Sequence, residues 1–305
     1  MLYTFNLSTK MIIVQLTGGL GNQLFQYAMG RALSERSKDT LLLDINSYSW
    51  DTLRKYELGV CNIRAHYASK AEIENIKQSN PLFKDRLINK LKRTPLPYFQ
   101  LPYLKEQSFK FDLNYINFKS NNVYVEGYWQ SENYFKKIRA ILLKEILIED
   151  SSFSSVFNKY KSIIRQTKDC VSIHIRRGDY VSNTETTAFH GLCGLDYYRD
   201  AMHHIESSIS NPTYFVFSDD KAYVKEVFNS EKNIIIVEDL PHDYEELFLM
   251  SYCSHNIIAN SSFSWWGAWL NDSSNKQVVA PARWFANIEM NNQTQSLIPQ
   301  SWIRK

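Results

Sequence analysis

Residues 170–181 read CVSIHIRRGDYV, and this stretch carries the clearest signal for the fold. Apolar and polar side chains alternate from Cys170 to Ile175, which is typical of a short strand. Two arginines, a glycine and an aspartate then follow without a spacer. Because ligands bind outside the carboxyl ends of strands in a parallel sheet, this charged turn is a candidate binding edge.

The rest of the second half alternates strands with helices. We predict strands at 170–175, 213–217, 233–237, 255–259 and 277–280. We predict helices between them at 195–209, 222–228 and 243–253. Alternation at this spacing favours a parallel, doubly wound sheet.

The first half begins with a similar pattern. We predict a strand at 11–16, a helix at 23–36, a strand at 40–44 and a returning strand at 123–130. The residues in between are less regular, and the proline-rich passage at 94–103 is typical of a loop. The sequence therefore predicts an α/β protein whose two domains face each other across a cleft. Their predicted ranges are 11–150 and 151–305.

Composition limits the classes of protein that fit this chain. Its 305 residues are 44% hydrophobic and carry a formal net charge of +3. Such a balanced charge gives no reason to expect a nucleic-acid partner. The four cysteines lie far apart and form no CxxC pair. We therefore expect neither a zinc site nor a disulfide framework, and a reducing, intracellular setting fits best.

Two segments bear on contact with membranes. Residues 1–19 lack the apolar core of a secretion signal and the ~20 apolar residues of a membrane span. The stretch LFKDRLINKLKR, residues 82–93, would form an amphipathic helix with a basic border. A solvated helix packed on its own domain is the simpler interpretation, and contact with a membrane is the alternative. We expect a cytoplasmic protein, with peripheral contact to the inner face of the cytoplasmic membrane left open.

Polar clusters follow three of the predicted strands. Arg176 and Arg177 follow the strand at 170–175. Residues 218–220 follow the strand at 213–217, and residues 260–262 follow the strand at 255–259. Arginine offers a planar fork of donors to phosphate oxygens, and a helix N-terminus attracts anions. The clusters therefore predict a site for a nucleotide diphosphate along one edge of the sheet.

Each cluster also has a structural interpretation. The serines at 261 and 262 would serve as a simple helix cap. Arg177 would form an ion pair with Asp179 or Asp219. The tryptophans at 265, 266 and 269 are more typical of a core than of a platform for sugars.

The glycine turn after the first strand is a weaker signal. Gly19 and Gly21 lie between a strand and a helix, and Asp44 ends the next strand, as in a dinucleotide-binding fingerprint. Leu24 occupies the third glycine position, which weakens that interpretation. The alternatives are a tight turn with Asn22 as helix cap, or a nicotinamide-dependent oxidoreductase that uses the Gly19/Gly21 loop.

Four motifs together resemble a known family. They occur in the order GGLGNQLFQYA (18–28), HIRRGDYV (174–181), FSDD (217–220) and IIANSSFSWWGAWL (257–270). This set is similar to the α-1,2-fucosyltransferases of glycosyltransferase family 11, from Met11 to about Trp284. The resemblance implies a GT-B fold of two Rossmann-like domains, with GDP-fucose held mainly by the C-terminal one. It implies inverting, metal-independent transfer of L-fucose to the 2-hydroxyl of galactose, with no cofactor.

Candidate donor-binding residues follow from the motifs and the resemblance. Arg176 is the first candidate for stabilising charge on departing GDP, together with backbone amides at the start of the predicted helix. The resemblance implies that the loop 19–22 faces the pyrophosphate and that His174 packs on guanine or ribose. Asp243 or Glu246 would accept the guanine N–H groups. The complete donor set is Gly19, Gly21, Asn22, His174, Arg176, Arg177, Asp219, Asp243, Glu246, Asn260, Ser261, Ser262 and Phe263.

The acceptor side offers several candidates. A base must take the proton of the acceptor hydroxyl, and Asp179, Glu185 and His190 stay open for that role. Tyr128 and Trp129 are candidates for stacking on an acceptor sugar, or for the core of the returning strand. We expect a galactose-containing oligosaccharide or lipid-linked surface glycan as acceptor. A silent sugar-binding module is a further alternative, and it predicts no affinity for GDP.

Overall fold

The computed structural model describes residues 10–78, 102–118, 122–178, 189, 191–229, 231 and 233–305. The chain divides into two compact units, Met1–Leu147 and Ile148–Lys305, here called the N-terminal and C-terminal units. The amphipathic stretch at 82–93 lies outside the described residues. Within the described part of the chain, no helix is long and apolar enough to cross a bilayer.

The N-terminal unit is a helix-flanked parallel sheet. Its strands are β1 (Met11–Gln15), β2 (Thr40–Asp44), β3 (His66–Tyr67), β4 (Tyr103–Lys105) and β5 (Asn122–Glu126). Its described helices are α1 (Leu20–Ser37), α2 (Lys70–Gln78), α3 (Leu113–Ile116) and α4 (Arg139–Glu145). Short 3-10 turns occupy Asn46–Ser49, Leu58–Val60, Glu132–Tyr134 and Lys136–Ile138. The strand order β3-β2-β1-β5-β4 places the change of direction between β1 and β5.

Helix α1 packs very closely on this sheet because of a glycine in its middle. A Cβ atom at Gly30 would lie 2.3 Å from Cγ2 of Val14 and 2.9 Å from Cδ1 of Leu41. The glycine that permits close helix–strand packing is thus Gly30 rather than the position held by Leu24. The leucine at 24 is itself buried in the core.

The C-terminal unit repeats the architecture with a larger sheet. Its strands are β6 (Cys170–Ile175), β7 (Thr213–Ser218), β8 (Ile234–Ile236), β9 (His255–Ile257), β10 (Val278–Ala280) and β11 (Ile303–Arg304). Its described helices are α5 (Ser155–Gln166), α6 (Leu195–Glu206), α7 (Lys221–Phe228), α8 (Asp243–Tyr252), α9 (Ser262–Leu270) and α10 (Ile288–Asn291), and a 3-10 turn covers Asp150–Ser152.

The strand order of this second sheet is β8-β7-β6-β9-β10-β11, and all pairs are parallel. The chain therefore winds outward from β6 in both directions. The point where the direction reverses lies between β6 and β9, which is where doubly wound folds bind ligands. All six residues of β6 are buried, as expected for the central strand of a covered parallel sheet.

Two local predictions need correction. The run at 123–130 is a strand only to Glu126, because Gly127 has φ +158° and Trp129 has φ +57°. Helix α1 begins at Leu20 with Gly19 as its N-cap, so Asn22 lies inside the helix and does not cap it. The three tryptophans of α9 are buried, which confirms the core interpretation.

Candidate functional site

The candidate site begins where β6 ends. Arg176 and Arg177 follow the last residue of β6, and β7 and β9 are its neighbours on either side. The segment 218–220 follows β7 directly, and Asn260 follows β9 after two more residues. Parallel pairing therefore brings the three polar clusters predicted from the sequence to one edge of the sheet.

Asp219 braces the turn after β6. Its Oδ2 lies 2.9 Å from Nη1 of Arg176, and its Oδ1 accepts the backbone N–H of Arg177 at 2.8 Å. A Cβ atom at Gly178 would lie 2.7 Å from Oδ2 of Asp219. Only glycine leaves room for the carboxylate, which explains the glycine of the RRGD motif. These contacts favour a role for Asp219 in holding the arginines over the predicted contact with the donor.

Arg177 is held by a different carboxylate from the ones expected. Its Nε donates to Oδ2 of Asp220 at 3.1 Å, and its guanidinium lies 3.7 Å from the ring centroid of Tyr223. Asp220 also caps α7 by accepting the backbone N–H of Tyr223 at 3.0 Å. These bonds hold the pKa of Asp220 below its usual range, with the backbone N–H as the largest cause. The side-chain ion pair predicted with Asp219 is therefore formed with Asp220, and Asp179, the other predicted partner, lies outside the described residues.

The N-terminus of α9 lies at the same edge. Ser261 is the N-cap, and its Oγ accepts the backbone N–H of Phe263 at 3.3 Å. The Phe263 amide predicted to meet the diphosphate therefore already has a partner. Ser262 is the first residue of the helix and is partly exposed, so the positive end of the helix dipole opens at this position.

Asn260 has a structural role rather than the predicted contact with the donor. It is 3% exposed. Its Nδ2 donates to the carbonyl oxygens of Gly191 and Trp284 at 3.3 and 3.2 Å. The side chain thus ties two loops to the end of β9.

His174 is buried on β6. It is 3% exposed, its ring centroid lies 5.6 Å from that of Phe263, and its Nδ1 has no hydrogen-bond partner among the described residues. Burial lowers the pKa of His174 to about 3, so the ring is neutral at pH 7. This enclosed position disfavours the predicted contact of His174 with guanine or ribose.

The two acids predicted to bind guanine differ in their surroundings. Asp243 is exposed in the first turn of α8. Glu246 is partly buried, and its Oε1 accepts from Nζ of Lys221 at 2.9 Å. Burial raises the pKa of Glu246, and the ammonium of Lys221 opposes that rise. Lys221, which the sequence analysis missed, links α7 to α8 through this bond to Glu246, and it also donates to the carbonyl of Val237 at 2.7 Å.

The glycine turn of the N-terminal unit has well-defined geometry. Gly18 takes the left-handed conformation, with φ +76°, so it is this glycine that makes the turn. Oδ1 of Asn22 accepts from Nε2 of Gln130 at 2.9 Å. The side chain of Arg54 lies beside Gly19, with Cδ 3.9 Å from where a Cβ would stand. A cation therefore lies next to the start of α1, and sequence spacing gave no sign of it.

Asp44 does not have the surroundings that a dinucleotide-binding fingerprint requires. It is 4% exposed. Its Oδ2 accepts from the hydroxyl of Tyr124 at 2.6 Å, and its Oδ1 accepts from the backbone and side chain of Asn46. Both oxygens are thus used inside the fold, which disfavours the nicotinamide-dependent alternative.

The two predicted acceptor residues separate. Trp129 is fully buried and packs edge-on against Tyr115 and Tyr134, so it is a core residue and the sugar-stacking role is wrong. Tyr128 is 41% exposed. The backbone N–H of Tyr128 donates to Oε2 of Glu106 at 2.7 Å, and Glu106 was not singled out from the sequence.

The predicted bases Asp179, Glu185 and His190 lie outside the described residues. In the described ranges, no three histidine, cysteine or acidic side chains are grouped so that they could hold a metal ion.

A family model supplies the identity that the geometry alone does not. The model of glycosyl transferase family 11 matches residues 9–304. The chain belongs to this family. The resemblance seen in the motifs is thereby confirmed, and the protein is a family 11 glycosyltransferase.

Two curated relatives from Escherichia coli cover almost the whole family 11 chain. The O-antigen biosynthesis glycosyltransferase WbnK is 35% identical over 94% of this chain and 98% of its own length. An alpha-1,2-colitosyltransferase is 35% identical over 97% of this chain and 99% of its own length. A galactoside alpha-(1,2)-fucosyltransferase 2 from Rattus norvegicus is 24% identical over 47% of this chain and 42% of its own length.

The fold of the family 11 chain matches a solved fucosyltransferase. A mutant of FUT1 from Arabidopsis thaliana in complex with GDP superposes with a TM-score of 0.53 at 10% identity, over 88% of this chain and 70% of that chain. Such low identity speaks for the fold alone. This likeness of fold, together with the two parallel sheets in separate units, confirms the predicted GT-B class.

Proposed function

We propose that this family 11 glycosyltransferase transfers L-fucose from GDP-β-L-fucose to the 2-hydroxyl of a galactose, with inversion at the anomeric carbon. The supporting observation is the carboxyl edge of the second sheet. There Arg176 and Arg177 follow β6, and the N-terminus of α9 follows β9, at the point where the strand order reverses. Guanidinium groups and a helix N-terminus are the donors that suit a diphosphate.

In this proposal, the residues at this edge stabilise the negative charge that develops on GDP as it leaves. As the bond from the anomeric carbon to the diphosphate breaks, negative charge grows on the diphosphate oxygens. Donors that are already oriented stabilise that charge without reorganisation. The carboxylate of Asp219 lies 2.9 Å from the Arg176 guanidinium and helps to fix it, so Arg176 is the candidate for this role. Ser262, the first residue of α9, is the second candidate.

No metal ion is needed in this proposal. Both oxygens of Asp219 bond to the turn that carries the arginines, and Asp220 bonds to Arg177 and to the start of α7. These two acids are therefore used as braces and are poorly placed to serve as metal ligands. The cationic side chains take the place of a metal at the diphosphate.

A second donor, GDP-colitose, is favoured by a specific observation. The relative named alpha-1,2-colitosyltransferase is 35% identical over 97% of this chain, above the 24% of the rat fucosyltransferase. Colitose lacks the 3-hydroxyl of fucose. A site built to bond that hydroxyl rejects the sugar that lacks it, so the two donors are separable by kinetics.

We propose a surface glycan as acceptor, built on a lipid at the cytoplasmic face of the membrane. One relative is named for O-antigen biosynthesis, which supports a glycan of this kind. Tyr128, the exposed residue of the predicted pair, is the candidate for stacking on the galactose.

The proposal is tested by calorimetry and product analysis. We expect binding of GDP without added metal, and transfer from GDP-fucose to a β-galactoside that yields an α-1,2 linkage by NMR. Transfer from GDP-colitose alone would move the assignment to the second donor. Binding of NADH without binding of GDP would refute both.

A further inference from the structure

A polar pocket of about 650 Å³ opens on one face of α5 in the C-terminal unit, and the proposed function does not use it. Asp150 and Ser151 line it from the 3-10 turn before the helix. From the helix it is lined by Asn158, Lys161, Ser162, Arg165 and Gln166. Spacings of three and four residues place these side chains on one helical face. The volume is in the range of sites for small molecules, so the pocket is larger than a single ion requires.

Lys161 is held at the wall of this pocket by aromatic rings. Its side chain is 12% exposed. Its Nζ lies 5.8, 5.7 and 5.2 Å from the ring centroids of Phe153, Phe157 and Tyr252. The faces of aromatic rings attract a cation at this distance. The rings therefore restrict the lysine, and little rotamer freedom remains to be lost when a ligand binds.

Arg165 supplies a second cation one turn further along α5. Its guanidinium carbon lies 5.9 Å from the ring centroid of Tyr252, so this ring contacts both Arg165 and Lys161. Arg165 is exposed to solvent. A guanidinium offers parallel N–H groups that match two oxygens of a phosphate. The two cations together therefore favour an anion with several oxygens.

The end of the pocket that Arg165 forms is distant from the proposed donor edge. Helix α5 ends at Gln166, shortly before β6 begins at Cys170. Helix α8 ends at Tyr252, shortly before β9 begins at His255. This end of the pocket therefore lies at the amino edge of the second sheet, whereas the two arginines of the proposed donor site follow the carboxyl end of β6.

The charge of the pocket is positive. Two cations and one acid are present among the lining residues that the structure describes. The acid is Asp150, whose Oδ1 lies 3.0 Å from Nζ of Lys161, and its side chain is 86% exposed. The hydrogen bond from Lys161 holds the pKa of Asp150 below its usual range, so the carboxylate is charged at neutral pH. Exposed ion pairs are weak, so a more strongly charged anion can replace this carboxylate at the ammonium.

The uncharged lining residues favour a ligand with hydroxyl groups. Nδ2 of Asn158 donates to the carbonyl of Ser154 at 3.1 Å, and Nε2 of Gln166 donates to Oγ of Ser162 at 3.4 Å. The amide oxygens of both side chains can accept from hydroxyl groups, and serine hydroxyls donate and accept. Since the described lining is polar throughout, binding here depends on charge and hydrogen bonds rather than on burial of apolar surface.

We propose that this pocket binds a phosphate ester carried by a polyol, with the phosphate on Lys161 and Arg165 in place of the Asp150 carboxylate. The polyol hydroxyls bond to the amide and serine side chains of the same helix face. A soluble sugar phosphate and the phosphoglycerol headgroup of a lipid share this chemistry. The site goes beyond the proposed function and does not depend on it.

The first test titrates glucose 1-phosphate by calorimetry at low salt, with glucose as the uncharged control. Lys161→Met and Arg165→Gln should each raise the Kd at least about tenfold, because each removes a charged donor. Asp150→Asn should lower the Kd, because it removes the competing carboxylate. Lys159→Gln is the matched control, since Lys159 lies on the same helix outside the pocket lining, with its Nζ over the ring of Tyr160.

The second test separates the two sources of the phosphate. The protein is sedimented with phosphatidylcholine vesicles that contain or lack phosphatidylglycerol. Binding of glucose 1-phosphate that depends on Lys161 supports a soluble ester. Sedimentation only with phosphatidylglycerol, again dependent on Lys161, supports a lipid headgroup.

Three results would overturn the proposal. They are a wild-type chain that binds neither probe, an equal loss of binding in Lys159→Gln and Lys161→Met, and weaker binding in Asp150→Asn. Melting temperatures show whether each variant is folded. Arg165→Gln changes an exposed side chain, so it tests the pocket even if Lys161→Met does not fold.

Discussion

Glu106→Gln should make the protein more stable in alkaline solution. The folded chain raises the pKa of this carboxyl from 4.5 to about 7, chiefly by burial. A group whose pKa is raised by folding contributes stability that is complete below its unfolded pKa and lost as the pH rises through its folded pKa. Wild-type stability should therefore fall between about pH 5 and pH 8, where ionisation of a partly buried acid becomes costly.

The size of the effect follows from the same two values. At about 1.4 kcal/mol per pKa unit, the rise in pKa corresponds to about 2–3 kcal/mol between pH 5 and pH 8.5. Glutamine does not titrate, so the free energy of unfolding of the variant should gain that amount relative to wild type across this interval. Urea titrations at pH 5, 7 and 8.5 measure it. Equal pH dependence in both proteins would show that the carboxylate is not held in a poorly solvated site.

Glu126→Gln is the control, because folding shifts the pKa of Glu126 in the opposite direction. Burial raises the pKa of Glu126, but hydrogen bonds from Lys105 and Tyr103 outweigh burial and hold the pKa below its usual range. Its stabilising contribution is therefore present above its unfolded pKa and lost as the pH falls through its folded pKa. Replacing Glu126 should destabilise the protein at neutral pH and have less effect in acid.

Three further predictions test the rest of the structure. Arg176→Ala should lower kcat by about 10²–10³-fold at unchanged melting temperature. Arg176→Lys should not restore kcat, because a point charge cannot replace the planar fork of the guanidinium. If steady-state kinetics show that Arg176→Ala retains more than about a tenth of wild-type kcat, Arg176 does not stabilise the diphosphate. Activity should persist in excess EDTA, and a loss that Mn²⁺ reverses would make Asp219 and Asp220 metal ligands. Gly30→Ala should cost about 1–3 kcal/mol, because its Cβ would lie 2.3 Å from Val14, and an unchanged urea midpoint would contradict that packing.

The sequence predicted the fold class because both sheets are parallel. Strands covered on both faces are short apolar runs, and β6, β7 and the helices between them stand out from their flanking turns. The strands that escaped prediction, β3, β4 and β11, are two or three residues long, which is too short for a periodic pattern. Their positions depend on pairing with neighbours that are distant in sequence.

The site was only partly predictable, because side-chain direction after a strand depends on backbone angles. A strand pattern continued through Trp129 would put it on a sheet face, but the left-handed angle at this residue turns its ring into the core. Asn260 looked like a ligand contact because it follows β9, yet its partners are carbonyls from distant loops. Glu106 gave no signal, since a glutamate after a short strand resembles any exposed acid.

The two aspartates after β7 explain how two adjacent arginines, the proposed partners of a diphosphate, can lie together at one sheet edge. Two adjacent arginines at a sheet edge repel each other. Each guanidinium also loses part of its hydration there, and that loss is costly unless a carboxylate compensates for it. Asp219 and Asp220 each bind one guanidinium, and the tether from Asp219 to the backbone of Arg177 fixes the turn itself. The carboxylates reduce the net charge that a nucleotide meets, but they hold the donors in a set orientation. In the proposed transfer, catalysis depends on interactions that strengthen as charge develops, so the orientation of the two arginines would matter more than the net charge of this edge.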